Sequence, residues 1–90
     1  MKINLSKITD NFGYGKMSGV ARNVLERVDD NGDETDAGEA VSQAMDDELI
    51  YTADQWTVIA YYSDPESPKS FSEACEDFYG DLLECVEEGE

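Results

Sequence analysis

The chain of 90 residues contains no histidine, two cysteines, two prolines, one tryptophan and only six basic residues. Without histidine a Ser–His or Cys–His nucleophile pair cannot form, and two cysteines remain as the soft zinc ligands. No stretch approaches the roughly 20 consecutive apolar residues that span a bilayer. The N-terminus also lacks a long apolar core followed by a small-residue cleavage site, so we expect no secretory signal.

Acidic residues dominate the charge. Twenty-two aspartates and glutamates outnumber six lysines and arginines, which gives a net charge of −16. Residues 29–90 hold twenty acids and one basic residue, Lys69, for a net charge of −19, whereas residues 1–28 carry +3. This charge repels nucleic acid and anionic membranes, which excludes both as direct partners. An apolar fraction of 40 % distinguishes the chain from disordered acidic tails, and we expect one small domain over residues 1–90.

The apolar spacing predicts an all-α fold, a small bundle of three to four short helices. The predicted helices cover residues 18–28, 36–49, 52–63 and 70–88. Residues 1–17 form an N-terminal segment and a glycine-containing loop. The apolar pattern of this segment is too short to distinguish an extended strand from a helix.

Capping residues support three of these helix starts, because each start has the spacing of an N-terminal capping box. The pairs are Asp36 with Glu39, Thr52 with Gln55, and Ser70 with Glu73. Gly80 lies inside the last predicted helix, where glycine costs about 1 kcal/mol relative to alanine. We therefore expect a neighbouring element to pack closely against Gly80.

The two cysteines lie ten positions apart in the last predicted helix. That separation corresponds to about 15 Å of helical rise, whereas a disulfide requires Cα atoms roughly 4.4–6.8 Å apart. We expect Cys75 and Cys85 to be free thiols in a reducing cytoplasm, with Cys75 packed as a small buried hydrophobe.

The segment Asp29–Asp33 has the first ligand positions of an EF-hand calcium loop. However, loop position 6 holds Glu34 instead of glycine, and position 12 holds Ala40 instead of glutamate. The pattern favours a solvated acidic turn that ends one helix and caps the next. We predict no metal and no other cofactor, and a calcium-binding module stays as a third hypothesis.

The acids of the last predicted helix lie opposite its apolar stripe, with about one carboxylate per 3.4 Å of axis. One strand of duplex DNA presents one phosphate per about 3.4 Å. Such a face suits a groove lined with lysine and arginine that normally holds nucleic acid. The predicted partner-binding residues are Asp29, Asp30, Asp33, Glu34 and Asp36 around the turn, and Glu73, Glu76, Asp77, Asp81 and Glu84 on the helix.

The stretch from Asp46 to Tyr62, with Leu-Ile-Tyr ending at Tyr51 and Asp-Gln-Trp ending at Trp56, is followed by Phe71–Ala74 and by Phe78-Tyr79. This pattern resembles small acidic uncharacterised proteins of bacteriophages and other mobile elements, over roughly residues 36–88. In size and acidity the chain is also similar to anti-CRISPR proteins and to DNA-mimicking anti-restriction proteins. The resemblance implies a role in the contest between phage and host and supplies no active-site residue.

Two functions from different classes fit these observations. The leading hypothesis is a phage or mobile-element inhibitor that occupies the basic nucleic-acid groove of a host Cas effector or restriction enzyme, as a monomer or homodimer in the bacterial cytoplasm. The alternative is a small phage adaptor that binds a host protein through exposed aromatic side chains, with acidity serving solubility. Neither is an enzyme, because the sequence contains no catalytic signature. The candidate aromatics are Phe12, Tyr14, Tyr51, Trp56, Tyr61, Tyr62 and Tyr79.

Overall fold

A computed structural model describes residues 2–30 and 36–87, and within them the fold is helical. Five helices are present in these residues: α1 Leu5–Phe12, α2 Lys16–Asp30, α3 Ala37–Glu48, α4 Thr52–Tyr62 and α5 Phe71–Glu84. The predicted all-α class is confirmed. The predicted count of three to four helices is too low, because the N-terminal segment forms a helix of its own.

That additional helix, α1, has only eight residues, too few for a repeating pattern to emerge in the sequence. Ile8 and Phe12 are buried and four positions apart, as the helical period requires. The helix ends at Gly13, whose φ of 71° and ψ of −152° are open essentially to glycine alone. The Gly13 backbone N–H donates to the Thr9 carbonyl oxygen at 2.9 Å, which closes the last turn.

Two short strands join the beginning and the end of the described chain. β1 (Lys2–Ile3) and β2 (Val86–Glu87) pair antiparallel, with Ile3 opposite Val86. The Asn4 backbone N–H lengthens this pairing by donating to the Cys85 carbonyl oxygen at 2.8 Å. Because Val86 leaves the helix to pair and become buried, α5 ends at Glu84 and not at the predicted residue 88.

The predicted helix starts have different outcomes. Asp36 caps α3 as predicted, its carboxylate accepting from the Gly38 backbone N–H at 2.9 Å. The capping box of α5 is confirmed: the Ser70 hydroxyl accepts from the Glu73 N–H at 3.2 Å, and the Glu73 carboxylate accepts from the Ser70 N–H at 3.4 Å. The box predicted at Thr52 is wrong, since Tyr51 occupies the N-cap of α4 without a side-chain hydrogen bond.

The core lies between two helix pairs. In these pairs α2 packs against α3 and α4 packs against α5, and contacts between α3 and α5 join the two pairs. Phe78 of α5 is fully buried, and its ring meets that of Phe12 edge to face at a centroid distance of 5.6 Å.

Both cysteines are free thiols, as predicted. Cys85 is the buried one, whereas Cys75 is only half-buried, so the prediction that Cys75 is buried is wrong. Within the described residues no helix combines the length and apolar character needed to cross a membrane.

The expectation of close packing at Gly80 is also wrong. Gly80 is exposed, and apart from its two chain neighbours and the nearby backbone of α5 itself, no described atom lies within 4 Å of the position that a Cβ would occupy. The glycine therefore lowers the stability of α5 without a compensating contact inside the described chain.

We predict that Gly80→Ala raises the free energy of unfolding by about 1 kcal/mol, because alanine loses less backbone entropy in a helix. Urea unfolding followed by circular dichroism measures the change. Gly19→Ala in α2, at an equally open position, should give a similar gain, whereas Gly13→Ala should destabilise the protein because of its positive φ. A loss of stability in Gly80→Ala would contradict this account of α5.

Candidate partner-binding surface

Glu73, Glu76, Asp77 and Glu84 share the side of α5 that faces away from the buried Leu82, whereas Asp81 lies at the edge of that side, seven positions after the buried Ala74. Glu73, Glu76 and Glu84 are exposed, whereas Asp77 and Asp81 are partly buried. At 3.6 residues per turn, Gly80 lies in the middle of this side. The side is therefore acidic and locally flat.

Four of these acids have partners inside the chain. Asp77 forms an ion pair with Lys69, and this hydrogen bond raises the pKa of the Lys69 ammonium group. Asp81 accepts a hydrogen bond from the Tyr62 hydroxyl at 2.7 Å, and Glu84 accepts from the Asn11 side-chain amide at 3.1 Å. Glu73 belongs to the capping box of α5, so among the described residues Glu76 is the α5 acid without a hydrogen-bond partner.

A network of uncharged donors holds the carboxyl-terminal end of α5 against α1 and α4. The Tyr61 hydroxyl donates to the Asn11 carbonyl oxygen at 2.6 Å, while the Asn11 amide also donates to the Asp81 carbonyl oxygen at 3.4 Å. Burial raises the pKa of the Tyr62 hydroxyl, and its donation to Asp81 raises it further, so this hydroxyl stays protonated. Sequence reasoning missed this network because Asn11 and Glu84 are 73 positions apart.

The acids predicted around the turn are less well assembled. Asp29 is exposed in the last turn of α2, Asp30 is the last residue of that helix, and Asp33 and Glu34 lie outside the described residues. Asp29 and Asp30 thus belong to α2 and not to the predicted turn. The cap residue Asp36 lies near α5, because the position of a Cβ on Gly38 would be 2.8 Å from the Tyr79 hydroxyl and 3.3 Å from Asp36 Oδ1.

Acids also occupy the last turns of four helices, where the outward-pointing carbonyl groups already create a negative potential. Among the described helices, Arg27 is the one basic residue in a last turn. The acids in these turns are Asp10 of α1, Asp29 and Asp30 of α2, Asp46, Asp47 and Glu48 of α3, and Asp81 and Glu84 of α5. Each exposed acid at such a position costs about 0.3–1 kcal/mol. Selection for stability therefore does not account for this placement.

Glu48 is the buried member of this set, with 6 % of its surface exposed. The Arg27 Nε donates to its carboxylate at 2.8 Å, and this hydrogen bond raises the pKa of the Arg27 guanidinium. Asp54, in the first turn of α4, lies nearby: burial and then the Glu48 carboxylate raise the pKa of its carboxyl group. The basic residue Arg27 is thus paired internally and does not offset the surface charge elsewhere.

Two surface grooves flank the helices, and their electrostatic character differs. The acid-rimmed groove, about 420 Å³, lies between α3 and α5; Ser42, Met45, Asp46, Leu49, Phe71, Cys75, Glu76 and Tyr79 line it. The aromatic groove, about 650 Å³, lies beside α4; Phe12, Gly15, Lys16, Met17, Ala53, Trp56, Thr57, Ala60 and Tyr61 line it. Trp56 is 64 % exposed at the aromatic groove, which has a lysine and no acid among these lining residues.

No metal site emerges from residues 2–30 and 36–87, since no three cysteine, aspartate or glutamate side chains there come together as ligands. No protein-family model matches the chain, and no curated protein and no solved structure is significantly similar to it. Function therefore has to be inferred from the charges and grooves described above.

We predict that Asp46→Asn raises the free energy of unfolding by about 0.3–1 kcal/mol at low salt, because it removes a negative charge from the last turn of α3. Thermal or urea unfolding measures the change. Glu39→Gln, in the first turn of the same helix, is the matched control and should lower stability. Changes of the same sign in both variants would contradict the role assigned to the helix ends.

Asp54 provides a prediction on pH. Because the folded state raises the pKa of its carboxyl group, the folded protein holds a proton there that the unfolded chain has already released. The contribution of Asp54 to stability therefore increases as pH falls through that pKa and is lost as pH rises. Asp54→Asn should be more stable than the parent at pH 7, and this difference should shrink towards pH 4. A difference in unfolding free energy that stays constant between the two pH values would contradict this prediction.

Proposed function

We propose that the protein is a phage or mobile-element inhibitor of a host defence complex, an anti-CRISPR or anti-restriction protein that acts by imitating the charge of DNA. Its target is the Lys/Arg-lined nucleic-acid groove of a Cas effector or a restriction enzyme, in the cytoplasm of the bacterial host. The inhibitor is a binding protein without catalytic activity.

The observation that carries this proposal is the placement of acids in the last turns of α1, α2, α3 and α5. Negative charge that costs stability at several helix ends requires a benefit from elsewhere, and binding to a cationic groove supplies one. Displacement of counterions from that groove then provides affinity, as it does for DNA.

Internal pairing of basic residues supports the same proposal. Arg27 is held by Glu48 and Lys69 by Asp77, so these two basic side chains are turned towards the protein's own carboxylates. The long dimension of the molecule, 43 Å, corresponds to about twelve base pairs of duplex DNA. A body of this length can cover a nucleic-acid groove along one full helical turn.

The test is competition with DNA on a purified Cas effector or restriction enzyme that carries a fluorescent duplex. We expect the protein to displace the duplex, with an affinity that falls about tenfold or more between 50 and 200 mM salt. Asp29→Lys with Glu76→Lys should weaken displacement, because both residues are exposed members of the predicted surface. Asp64→Lys with Glu66→Lys is the matched control, with the same change of charge at exposed acids that lie outside the helices.

Displacement that is independent of salt, or equally weakened by both double variants, would overturn the mimicry. Neither double variant replaces an acid that caps a helix or accepts a side-chain hydrogen bond in the described residues. Circular dichroism of each variant establishes that a loss of displacement does not reflect unfolding.

A second candidate function rests on the aromatic groove. Trp56 and Tyr61 are 64 % and 43 % exposed beside it, and aromatic side chains of this kind anchor protein interfaces. An adaptor that binds a host protein there tolerates the Asp29→Lys, Glu76→Lys variant and loses binding in Trp56→Ala. The inhibitor behaves in the opposite way, so the two variants distinguish the two functions.

A further inference from the structure

The acid-rimmed groove combines two chemical features, an apolar floor and carboxylates around it. Met45 of α3 and Leu49, the C-cap of that helix, form a buried apolar floor with the half-buried Cys75 of α5. The exposed Asp46 of α3 and Glu76 of α5 line the same groove and form its rim. A volume of about 420 Å³ lies within the range of about 300–1,000 Å³ that is usual for small-ligand sites.

We propose that this groove binds a long cationic side chain, arginine or lysine, that the partner protein presents. The inference rests on the proposed function and names the chemistry by which one part of the surface recognises its target. The methylene stem of the side chain lies on the apolar floor, and its charged end lies between Asp46 and Glu76.

Charge complementarity selects this occupant over an apolar one. An apolar segment would cover the floor but would also desolvate the two carboxylates without pairing them, at a cost in free energy. A long basic side chain covers the apolar floor and also pairs with the carboxylates, because lysine and arginine bury their stems while the charged group stays at a polar rim. The half-buried rings of Phe71 and Tyr79 line the same groove and attract a cation through their faces.

The surroundings of the groove add to its negative potential. Asp46 lies in the last turn of α3, where the backbone carbonyls point outwards. The described residues that line the groove include neither lysine nor arginine, and Lys69, close to Phe71 in the sequence, is paired with Asp77. Burial and Asp46 raise the pKa of the Cys75 thiol, which keeps this floor residue neutral at pH 7.

A divalent metal ion is a poorer occupant. Calcium takes six to eight oxygen ligands, and the groove offers two carboxylates and the Ser42 hydroxyl above an apolar floor. Within the described residues no cluster of three potential metal ligands includes Asp46 or Glu76.

The test is a titration of the whole protein, labelled with ¹³C at its methionine methyl groups, with a hexa-arginine peptide. Met45 lies in the acid-rimmed groove and Met17 in the aromatic groove, so the two methyl signals report on the two grooves separately. We expect the Met45 signal to shift saturably and the Met17 signal to stay in place. A hexa-citrulline peptide, which has the shape of arginine without its charge, should leave Met45 unchanged.

Variants then assign the binding to the rim. Asp46→Asn with Glu76→Gln should raise the Kd of hexa-arginine at least fivefold. Asp10→Asn with Glu66→Gln gives the same net charge and should change this Kd less than twofold. Because Asp46→Asn is expected to stabilise the fold, unfolding does not explain a loss of binding. Equal weakening by the two variants, an unmoved Met45 signal, or equal shifts with hexa-citrulline would overturn the inference.

The outcome is separable from that of the proposed function. If hexa-arginine shifts Met45 but the protein does not displace DNA from a defence complex, the groove remains a cation-binding site and DNA mimicry fails. If DNA is displaced while Met45 does not respond to hexa-arginine, the mimicry stands and this assignment of the groove fails.

Discussion

Mutual repulsion of the carboxylates is the constraint that the rest of the structure has to meet. A net charge of −16 on 90 residues opposes compaction, and a chain of this size has only a small apolar core to offset it. The core meets this demand through α5, where Phe78 is fully buried against Phe12 of α1, while Leu82 and Ala74 are buried on the same side. Burial of the apolar side of α5 fixes its acidic side at the surface.

The chain secures several carboxylates with uncharged donors. Tyr62 donates to Asp81, Asn11 donates to Glu84, and Ser70 shares the capping box with Glu73. Hydrogen bonds to a charged acceptor each contribute about 1.5–3 kcal/mol, more than those between neutral groups. A neutral donor provides this stabilisation and leaves the negative charge in place, whereas a lysine would cancel it. Lys69 and Arg27 are the exceptions, and each is paired with one acid.

A feature of this fold could be predicted from the sequence where the residues that cause it lie within a few positions of one another. The apolar stripe of α5 and the Ser70 box are set by neighbours within four positions, and both are present in the structure. The end of α5 could not be placed, because Val86 pairs with Ile3 at the other end of the described chain. At Gly80 the sequence suggested a buried close approach, yet the residue is exposed, since helical periodicity alone does not tell which side of α5 a neighbour covers.

The candidate surface follows the same division. The side of α5 that carries the acids is visible in the sequence, but the partners of Asp77, Asp81 and Glu84 are not, because they come from the segment before α5, from α4 and from α1. The acid-rimmed groove was missed entirely: Asp46 and Glu76 are thirty positions apart, and packing of α3 on α5 alone brings them to one rim. The signal in the sequence was limited to Asp46 and its neighbours in the last turn of α3, where acids are unfavourable.

A groove with an apolar floor adds a source of affinity that imitation of the charge of DNA alone does not provide. An inhibitor that matches only the phosphate spacing of DNA gains its affinity from counterion release, and that affinity falls with salt as steeply as the affinity of DNA itself. In the complex proposed above, the floor of Met45, Leu49 and Cys75 adds apolar contact with the stem of a basic side chain, and salt does not screen that contact. DNA offers phosphates to the same side chain without such a floor. The difference gives a protein mimic an advantage over DNA that increases as salt rises.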